Sequence, residues 1–204
     1  MKNNTSFAAI VIFLIIACLI LYPANSMKEQ TAFQTSAPKD QTSADPEIQT
    51  RIPQSIVMKK PVRLCIPSVH LSTSIIPIHL SADGQLQVPK SSEVAGLYVD
   101  GVLPGENGNA IVAGHVDNYT GPAIFYPLKH LKPGSFVLLF DQNNQYLKYE
   151  VVAVQSYFTQ EAPLDKIFGD TPEKQLNLIT CTGKYDRKKK EHEKRLIVYT
   201  RLVE

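Results

Sequence analysis

Short β-branched runs separated by turn residues fill the sequence from residue 61 onward, and this pattern constrains the fold most. The runs are candidate strands at residues 62–66, 74–78, 86–88, 110–114, 136–140, 146–155, 176–181 and 196–202. Turn dipeptides lie between them: Asp83-Gly84, Pro104-Gly105, Pro133-Gly134 and Asn143-Asn144. Many short strands at this spacing are typical of a closed barrel or a sandwich. The sequence therefore predicts an all-β domain, with short helical candidates only at residues 125–131 and 164–168.

The N-terminal residues have a different character. Residues 7–22 form an unbroken apolar run preceded by Lys2, close to the about 17–25 apolar residues that a membrane-spanning helix needs. Three interpretations stay open for residues 1–24: an uncleaved single-pass anchor, a signal peptide cleaved near Ala24, or a lipoprotein signal with Cys18 lipidated. All three put the rest of the chain outside the cytoplasm.

A polar segment follows the apolar run. Residues 25–58 are dominated by Ser, Thr, Gln, Pro and Ala. Such a composition buries too little apolar area to offset the entropy cost of ordering the chain. We expect a disordered stalk at residues 25–58 and a catalytic domain at residues 59–204.

Charge and cysteine content exclude several classes of protein. The chain has 21 Lys and Arg against 19 Asp and Glu, a formal net charge of +2 that requires no nucleic-acid partner. Its cysteines, Cys18, Cys65 and Cys181, are far apart and form no CxxC pair. This spacing favours neither a zinc site nor a disulfide framework, which leaves a packed core thiol or a reactive thiol. Cys65 lies within an apolar strand and is predicted to be a core residue.

A chemically reactive residue stands at one end of each of three candidate strands. His115 follows one apolar strand, Cys181 ends another and Arg195 begins a third. A thiolate can attack an amide carbonyl, an imidazolium can protonate the departing amine, and a guanidinium can stabilise the oxyanion. Residues at separate strand ends can meet across a barrel mouth. Asp117, two residues after the histidine, could orient the imidazole ring.

Each of these residues also has an ordinary interpretation, as a buried thiol, a loop histidine and a solvated arginine. The alternative function is therefore a non-catalytic extracytoplasmic β-barrel binding module on a membrane stalk. A papain-like or L,D-transpeptidase-like enzyme fits less well, because the histidine precedes the cysteine and no Ser-His-Gly-Cys motif is present. A fast-reacting thiol would distinguish an enzyme from a binding module.

Three motifs resemble those of the sortase family. They are Ala-Gly-His-Val-Asp at residues 113–117, Leu-Ile-Thr-Cys-Thr-Gly at 178–183 and Arg-Leu-Ile-Val-Tyr at 195–199. The resemblance extends over roughly residues 61–204. The His-Val-Asp and Thr-Cys-Thr-Gly forms look most like class F sortases, with classes D and E as alternatives.

The resemblance implies a fold and an activity. It implies a closed eight-stranded β-barrel that cleaves a Leu-Pro-x-Thr-Gly-like sorting signal after Thr and transfers the product to a cell-wall amine. Cys181 would form the thioacyl enzyme. His115 would protonate the leaving group and then activate the amine, and Arg195 would bind the substrate carbonyl or the oxyanion.

The resemblance also implies further site residues and partners. Thr180, Thr182 and Gly183 would be substrate-binding residues, and the charged residues 184–194 match the loop that shapes the substrate groove. No metal or other cofactor is expected. The expected partners are secreted proteins with a C-terminal sorting signal, a cell-wall precursor amine and the membrane of a Gram-positive cell, with the catalytic domain outside it.

Overall fold

The computed structural model describes residues 57–203. The strands are β1 (Arg63–Ile66), β2 (Leu71–Ile78), β3 (Ala95–Tyr98), β4 (Gly108–Ala113), β5 (Asp117–Asn118), β6 (Gly121–Pro122), β7 (Phe136–Phe140), β8 (Tyr146–Phe158), β9 (Lys174–Asp186) and β10 (Glu191–Val203). One α-helix, α1 (Leu164–Phe168), accompanies 3₁₀-helices at Pro67–Val69, Tyr126–His130 and Thr159–Glu161.

Eight of these strands close into a barrel in the order β1-β2-β3-β4-β9-β10-β8-β7. The pairs β2–β3 and β4–β9 are parallel, and the other neighbouring pairs are antiparallel. Strands β5 and β6 form a small separate hairpin. The predicted all-β closed barrel of eight strands is confirmed, and within residues 57–203 four short helices accompany it where one or two were expected.

Most predicted strands coincide with observed ones, and the exceptions have physical causes. The segment 86–88 forms no strand and contributes only an isolated bridge between Leu80 and Leu86. Strand β3 was missed because its glycine reads as a turn signal. A Cβ at Gly96 would lie 2.5 Å from Cγ2 of Ile78, so this glycine allows β3 to approach β2 closely.

The residues on the inner face of the barrel form its main apolar core. Val112, Leu178 and Val198 are fully buried there, and burying one such side chain contributes about 1.5–3 kcal/mol. A second, smaller cluster lies on the outer face of β4, β9 and β10. Its buried members are Ile111, Ile167, Ile197 and Tyr199.

Two buried asparagines hold α1 against this outer face. Asn177 Nδ2 on β9 donates to Asn109 Oδ1 on β4 at 3.1 Å and to the carbonyl of Ile167 at 2.8 Å. Asn109 Nδ2 donates to the carbonyl of Gly169 at 2.7 Å. These bonds link β4 to β9 directly, and they belong to the strand pair that carries the predicted histidine and cysteine.

The charged segment expected as a loop extends the two longest strands instead. β9 continues to Asp186 and β10 begins at Glu191, so only residues 187–190 form the turn. The carboxylate of Asp186 accepts hydrogen bonds from the backbone N–H groups of Lys188 and Lys189 at 2.8 and 3.2 Å. Residues 184–194 therefore form an ordered β-hairpin.

The predicted anchor at residues 1–24 and most of the stalk at 25–58 lie outside the described residues. Within residues 57–203, no helix is long and apolar enough to cross a membrane. Met58 already packs in the main core, and its N–H donates to the carbonyl of Pro104 at 2.8 Å. Met58, one residue before the predicted boundary at residue 59, is therefore part of the packed domain.

Candidate active site

Cys181 and Arg195 lie side by side on the outer face of the barrel. Their Cα positions are directly paired between β9 and β10. Side chains alternate between the two faces of a strand. Leu196 belongs to the inner core, whereas Ile179 and Ile197 belong to the outer cluster. Cys181 lies two residues after Ile179, and Arg195 lies two residues before Ile197. Both side chains are therefore on the outer face.

His115 reaches the same face from the neighbouring strand. In the parallel β4–β9 pair, Ala113 is level with Ile179, and the N–H of Gly114 donates to the carbonyl of Ile179 at 3.1 Å. His115 follows Ala113 by two residues, just as Cys181 follows Ile179. His115 therefore follows directly after β4, and the three predicted residues come from neighbouring segments of the barrel.

The imidazole of His115 is oriented by a backbone carbonyl. Its Nε2 lies 2.7 Å from the oxygen of Pro89. A carbonyl oxygen only accepts, so Nε2 must carry the hydrogen. Within residues 57–203, Nδ1 has no recorded hydrogen-bond partner, which leaves this nitrogen to exchange a proton with a bound molecule.

The thiol of Cys181 is half-buried, and its surroundings act on its ionisation in opposite directions. Burial raises the pKa of the Cys181 thiol above its ordinary value, because the thiolate loses hydration. The guanidinium of Arg195 lowers this pKa, while the carboxylates of Asp117 and Glu191 raise it further. The net effect is a raised pKa, so the thiol form predominates at neutral pH.

The guanidinium of Arg195 is held by its own strand. Nη1 donates to the carbonyl of His192 at 2.9 Å and to that of Lys194 at 3.2 Å. Nη2 lies 3.8 Å from Oε2 of Glu191. The register of β10 against β9 shifts between His192 and Lys194, which turns these carbonyls toward the side chain. Further N–H groups on Nη2 and Nε are available to an oxygen of a bound molecule.

The residues flanking the cysteine differ from one another in burial. Thr180 is only 3% exposed, and its hydroxyl donates to the carbonyl of Gly114 at 2.7 Å, so its side chain joins β9 to the end of β4 inside the barrel. Thr182 is half-buried and Gly183 is exposed. Gly183 has φ +78°, and a Cβ there would lie 2.9 Å from Cγ of Glu193, so the position requires glycine.

Asp117 contacts a different histidine from the one expected. Its Oδ1 lies 3.0 Å from Nε2 of His192, and within the described part of the chain no hydrogen bond joins it to His115. His192 belongs to the charged segment 184–194, and nothing in that segment indicates a contact with the region after His115. No local signal could have found this contact, since the two residues are 75 positions apart in sequence.

An open cleft of about 650 Å³ lies along the β9–β10 hairpin. It is lined by Phe158, Gln160, Lys184, Tyr185, Asp186, Arg187, Lys188, Lys189, Glu191 and Glu193. The cleft does not include Cys181, so it borders the candidate active site and is not its centre. Within residues 57–203, no group of three or more His, Cys, Asp or Glu residues could hold a metal ion.

Comparisons with known proteins identify the family and the fold. The sequence profile of the Sortase domain family matches residues 64–203. The fold is similar to a lid mutant of sortase A from Corynebacterium diphtheriae, with 23% identity, 71% of each chain covered and a TM-score of 0.54.

Two further solved structures share the fold. Sortase C-1 from Actinomyces oris is 26% identical, with 71% of this chain and 76% of that chain covered and a TM-score of 0.53. Listeria monocytogenes sortase A is 20% identical, with 71% and 88% covered and a TM-score of 0.52. A comparison with curated protein sequences gave no significant match.

Proposed function

The chain belongs to the sortase family, and on that premise we propose that it is a cysteine transpeptidase with Cys181 as its nucleophile. One observation carries the proposal: Arg195 is paired with Cys181 between β10 and β9, and His115 lies two residues beyond the end of β4, the strand paired with β9 on its other side. A thiol, an imidazole and a fixed cation on one accessible face supply the groups that acyl transfer needs.

In the first step, the thiolate of Cys181 attacks the carbonyl carbon of Thr in the sorting signal. A C–S bond forms, and the tetrahedral oxyanion is stabilised by the N–H groups of Arg195. The amide C–N bond then breaks, and the imidazolium of His115 gives its proton to the departing amine. The product is a thioacyl enzyme and a released C-terminal fragment.

In the second step, an amine attacks the thioacyl carbon. His115 takes the proton of the amine, a new amide C–N bond forms, and the C–S bond breaks to return the thiolate of Cys181. Arg195 stabilises the second oxyanion as it did the first. Because burial raises the pKa of the thiol, we expect the thiolate fraction to be small at neutral pH and to grow as pH rises.

The proposed substrate is a Leu-Pro-x-Thr-Gly-like signal that is cleaved after Thr. Supporting this, the outer face beside the cysteine is apolar, with Ile179 and Tyr157 packed partly buried against the outer cluster. Such a surface suits an apolar peptide better than a charged one. The proposal includes Thr182 and Gly183 as backbone contacts and a class F assignment, which rests on the His-Val-Asp and Thr-Cys-Thr-Gly motifs.

The proposed partners and location follow from this activity. The substrates would be secreted proteins with a C-terminal sorting signal, and the acceptor would be an amine of a cell-wall precursor. Residues 7–22 would anchor the chain in the membrane of a Gram-positive cell, with the domain outside. A reporter fused after Glu204 should then be active only outside the cytoplasm, and purely cytoplasmic activity would contradict this location.

Trapping the thioacyl enzyme tests the proposed activity. The full chain is incubated with a panel of sorting-signal peptides, and its mass is measured. We expect the mass of the acyl fragment to be added to the wild type and to Cys65→Ser, and not to Cys181→Ala. An adduct on Cys181→Ala would refute the assignment. No adduct with any peptide, together with an unreactive thiol, would favour the non-catalytic binding module.

A further inference from the structure

The β9–β10 hairpin carries the excess positive charge of the described domain. Residues 184–194 contain six Lys or Arg against three Asp or Glu, whereas the rest of residues 57–203 contains eleven of each. Four of the six basic residues, at 187–190, are consecutive and form the turn between the two strands. All four side chains are exposed. The net charge of the domain is therefore concentrated at the tip of one hairpin.

The acidic residues of the hairpin have other partners and do not neutralise this tip. The carboxylate of Asp186 accepts hydrogen bonds from the backbone of the turn. Oε1 of Glu193 accepts a backbone N–H of β9 at 3.2 Å, and Oε2 of Glu191 lies 3.8 Å from Nη2 of Arg195. Among the residues that the structure describes, no carboxylate forms an ion pair with the basic side chains at 187–190. A cluster of like charges without counter-charges favours an anionic partner.

Two exposed aromatic rings accompany these charges. Phe158, at the end of β8, is 45% exposed and Tyr185 on β9 is 42% exposed, and both line the open cleft along the hairpin. Nζ of Lys194 lies 4.5 Å from the centroid of the Phe158 ring. Aromatic rings beside Lys and Arg are typical of surfaces that lie at the boundary between lipid headgroups and acyl chains. A soluble anionic polymer needs only the cations, so the two rings favour a bilayer as the partner.

We propose that the tip of the β9–β10 hairpin docks onto the surface of a bilayer that contains anionic phospholipids. The cations of residues 187–190 contact headgroup phosphates, and each cation near such a surface strengthens binding about fivefold. Phe158 and Tyr185 lie at the interface beside them. A chain anchored through residues 7–22 already holds the domain close to the bilayer, so individually weak contacts are sufficient.

Docking at the tip also fixes the height of the candidate active site above the bilayer. Cys181 lies five residues before Asp186, the last residue of β9. A strand rises about 3.3 Å per residue, so the cysteine is roughly 17 Å from the base of the turn. The hairpin then acts as a spacer between the lipid surface and the thiol. This consequence rests on the proposed function, whereas the docking itself does not.

Acylation of lysine side chains tests the docking in the full chain. The protein is mixed with phosphatidylcholine vesicles with or without phosphatidylglycerol, treated with a membrane-impermeant amine reagent and analysed by mass spectrometry of its peptides. Lys184, which is exposed in the cleft, should be labelled several-fold more slowly when phosphatidylglycerol is present. High salt should remove this protection, because it screens the attraction between charges. Lys174, at the opposite end of β9, should be labelled equally with both kinds of vesicle.

The triple variant Arg187→Gln/Lys188→Gln/Lys189→Gln removes three cations from the tip. Asp186 accepts from backbone N–H groups of this turn, so the turn should persist when the side chains change. Lys184 should then be labelled at the same rate with both kinds of vesicle. The matched control, Lys59→Gln/Lys60→Gln/Arg201→Gln, removes the same charge from exposed positions outside the hairpin and should retain the protection.

Three results would overturn the proposal. The first is equal labelling of Lys184 in the wild type with both kinds of vesicle, and the second is loss of protection in both triple variants. The third is equal protection of Lys184 by inorganic polyphosphate without vesicles, which would assign the surface to a soluble polyanion. Labelling requires neither a sorting signal nor acyl transfer, so a failure here is distinguishable from a failure to form the thioacyl enzyme.

Discussion

The inner and outer faces of β4, β9 and β10 differ in what they contribute to the protein. The inner face carries apolar side chains, such as Leu178 and Val198, that are fully buried in the main core. The outer face of the same strands leads to Cys181 and Arg195. Because the side chains of a strand alternate, one backbone register both closes the core and sets the spacing of the reactive groups. Changes to the reactive residues themselves should thus alter chemistry more than the fold, whereas the buried cluster on the outer face also supports the fold.

The largest difference between an effect on cleavage and an effect on stability is expected for His115→Ala. Loss of the proton donor should reduce peptide cleavage about 10²–10⁴-fold, whereas the unfolding free energy should fall by only about 0.5–1.5 kcal/mol, for the lost hydrogen bond to Pro89. Single-turnover cleavage of a fluorogenic peptide and thermal unfolding measure the two quantities. His130→Ala is the control, because that histidine is exposed in a 3₁₀-helix. Cleavage by His115→Ala at the wild-type rate would refute its proposed role.

Arg195→Lys should produce the next largest effect. Lysine retains the charge and loses the planar arrangement of donors, and loss of one oxyanion donor costs about 10²–10³ in rate. Arg201→Lys is a matched control, since Arg201 is an exposed arginine on the same strand. The comparison is of kcat for the peptide in the two variants. Equal activity in both would remove Arg195 from the proposed mechanism.

The smallest effect is expected for Thr180→Val. This variant tests whether Thr180 serves only the interior of the barrel or also binds substrate. Valine preserves the shape and removes the hydrogen bond to Gly114, so the variant should lose about 1–3 kcal/mol of unfolding free energy. Its KM for the peptide should stay unchanged if Thr180 serves only the interior. Thr200→Val is the control, because that buried hydroxyl similarly donates to the carbonyl of Leu176 at 2.7 Å. A raised KM in Thr180→Val alone would show instead that Thr180 binds substrate.

Alternating apolar residues and turn residues are local signals, and they predicted most of the barrel. The hairpin between β7 and β8 formed where Asn143-Asn144 indicated a turn, with Asn144 at φ +59°. Helix α1 spans the predicted residues 164–168. Cys65 was expected in the core and is only partly buried, because Leu64 and Ile66 on either side of it face inward. Predicting which face of a strand is buried therefore needed more than a run of apolar residues.

The candidate site was partly predictable, because local sequence motifs also identify reactive residues. Each motif identified its own reactive residue, and the sequence alone suggested a thiol, an imidazole and a guanidinium acting together. The strand ends predicted at Cys181 and Arg195 were wrong, because β9 continues to Asp186 and β10 begins at Glu191. Their common outer face depends on the parallel pairing of β4 with β9, which joins residues more than 60 positions apart. No local pattern encodes that pairing.

The sequence by itself determined the fold class, the sites of most strands and turns, and the residues capable of nucleophilic chemistry, because each depends on neighbours along the chain. Only the tertiary structure decided that Cys181 and Arg195 are paired on the outer face, that Thr180 points inward, and that Asp117 contacts His192. The physical reason is that these contacts join distant segments. Their geometry follows from how the closed barrel aligns its strands while burying one apolar face.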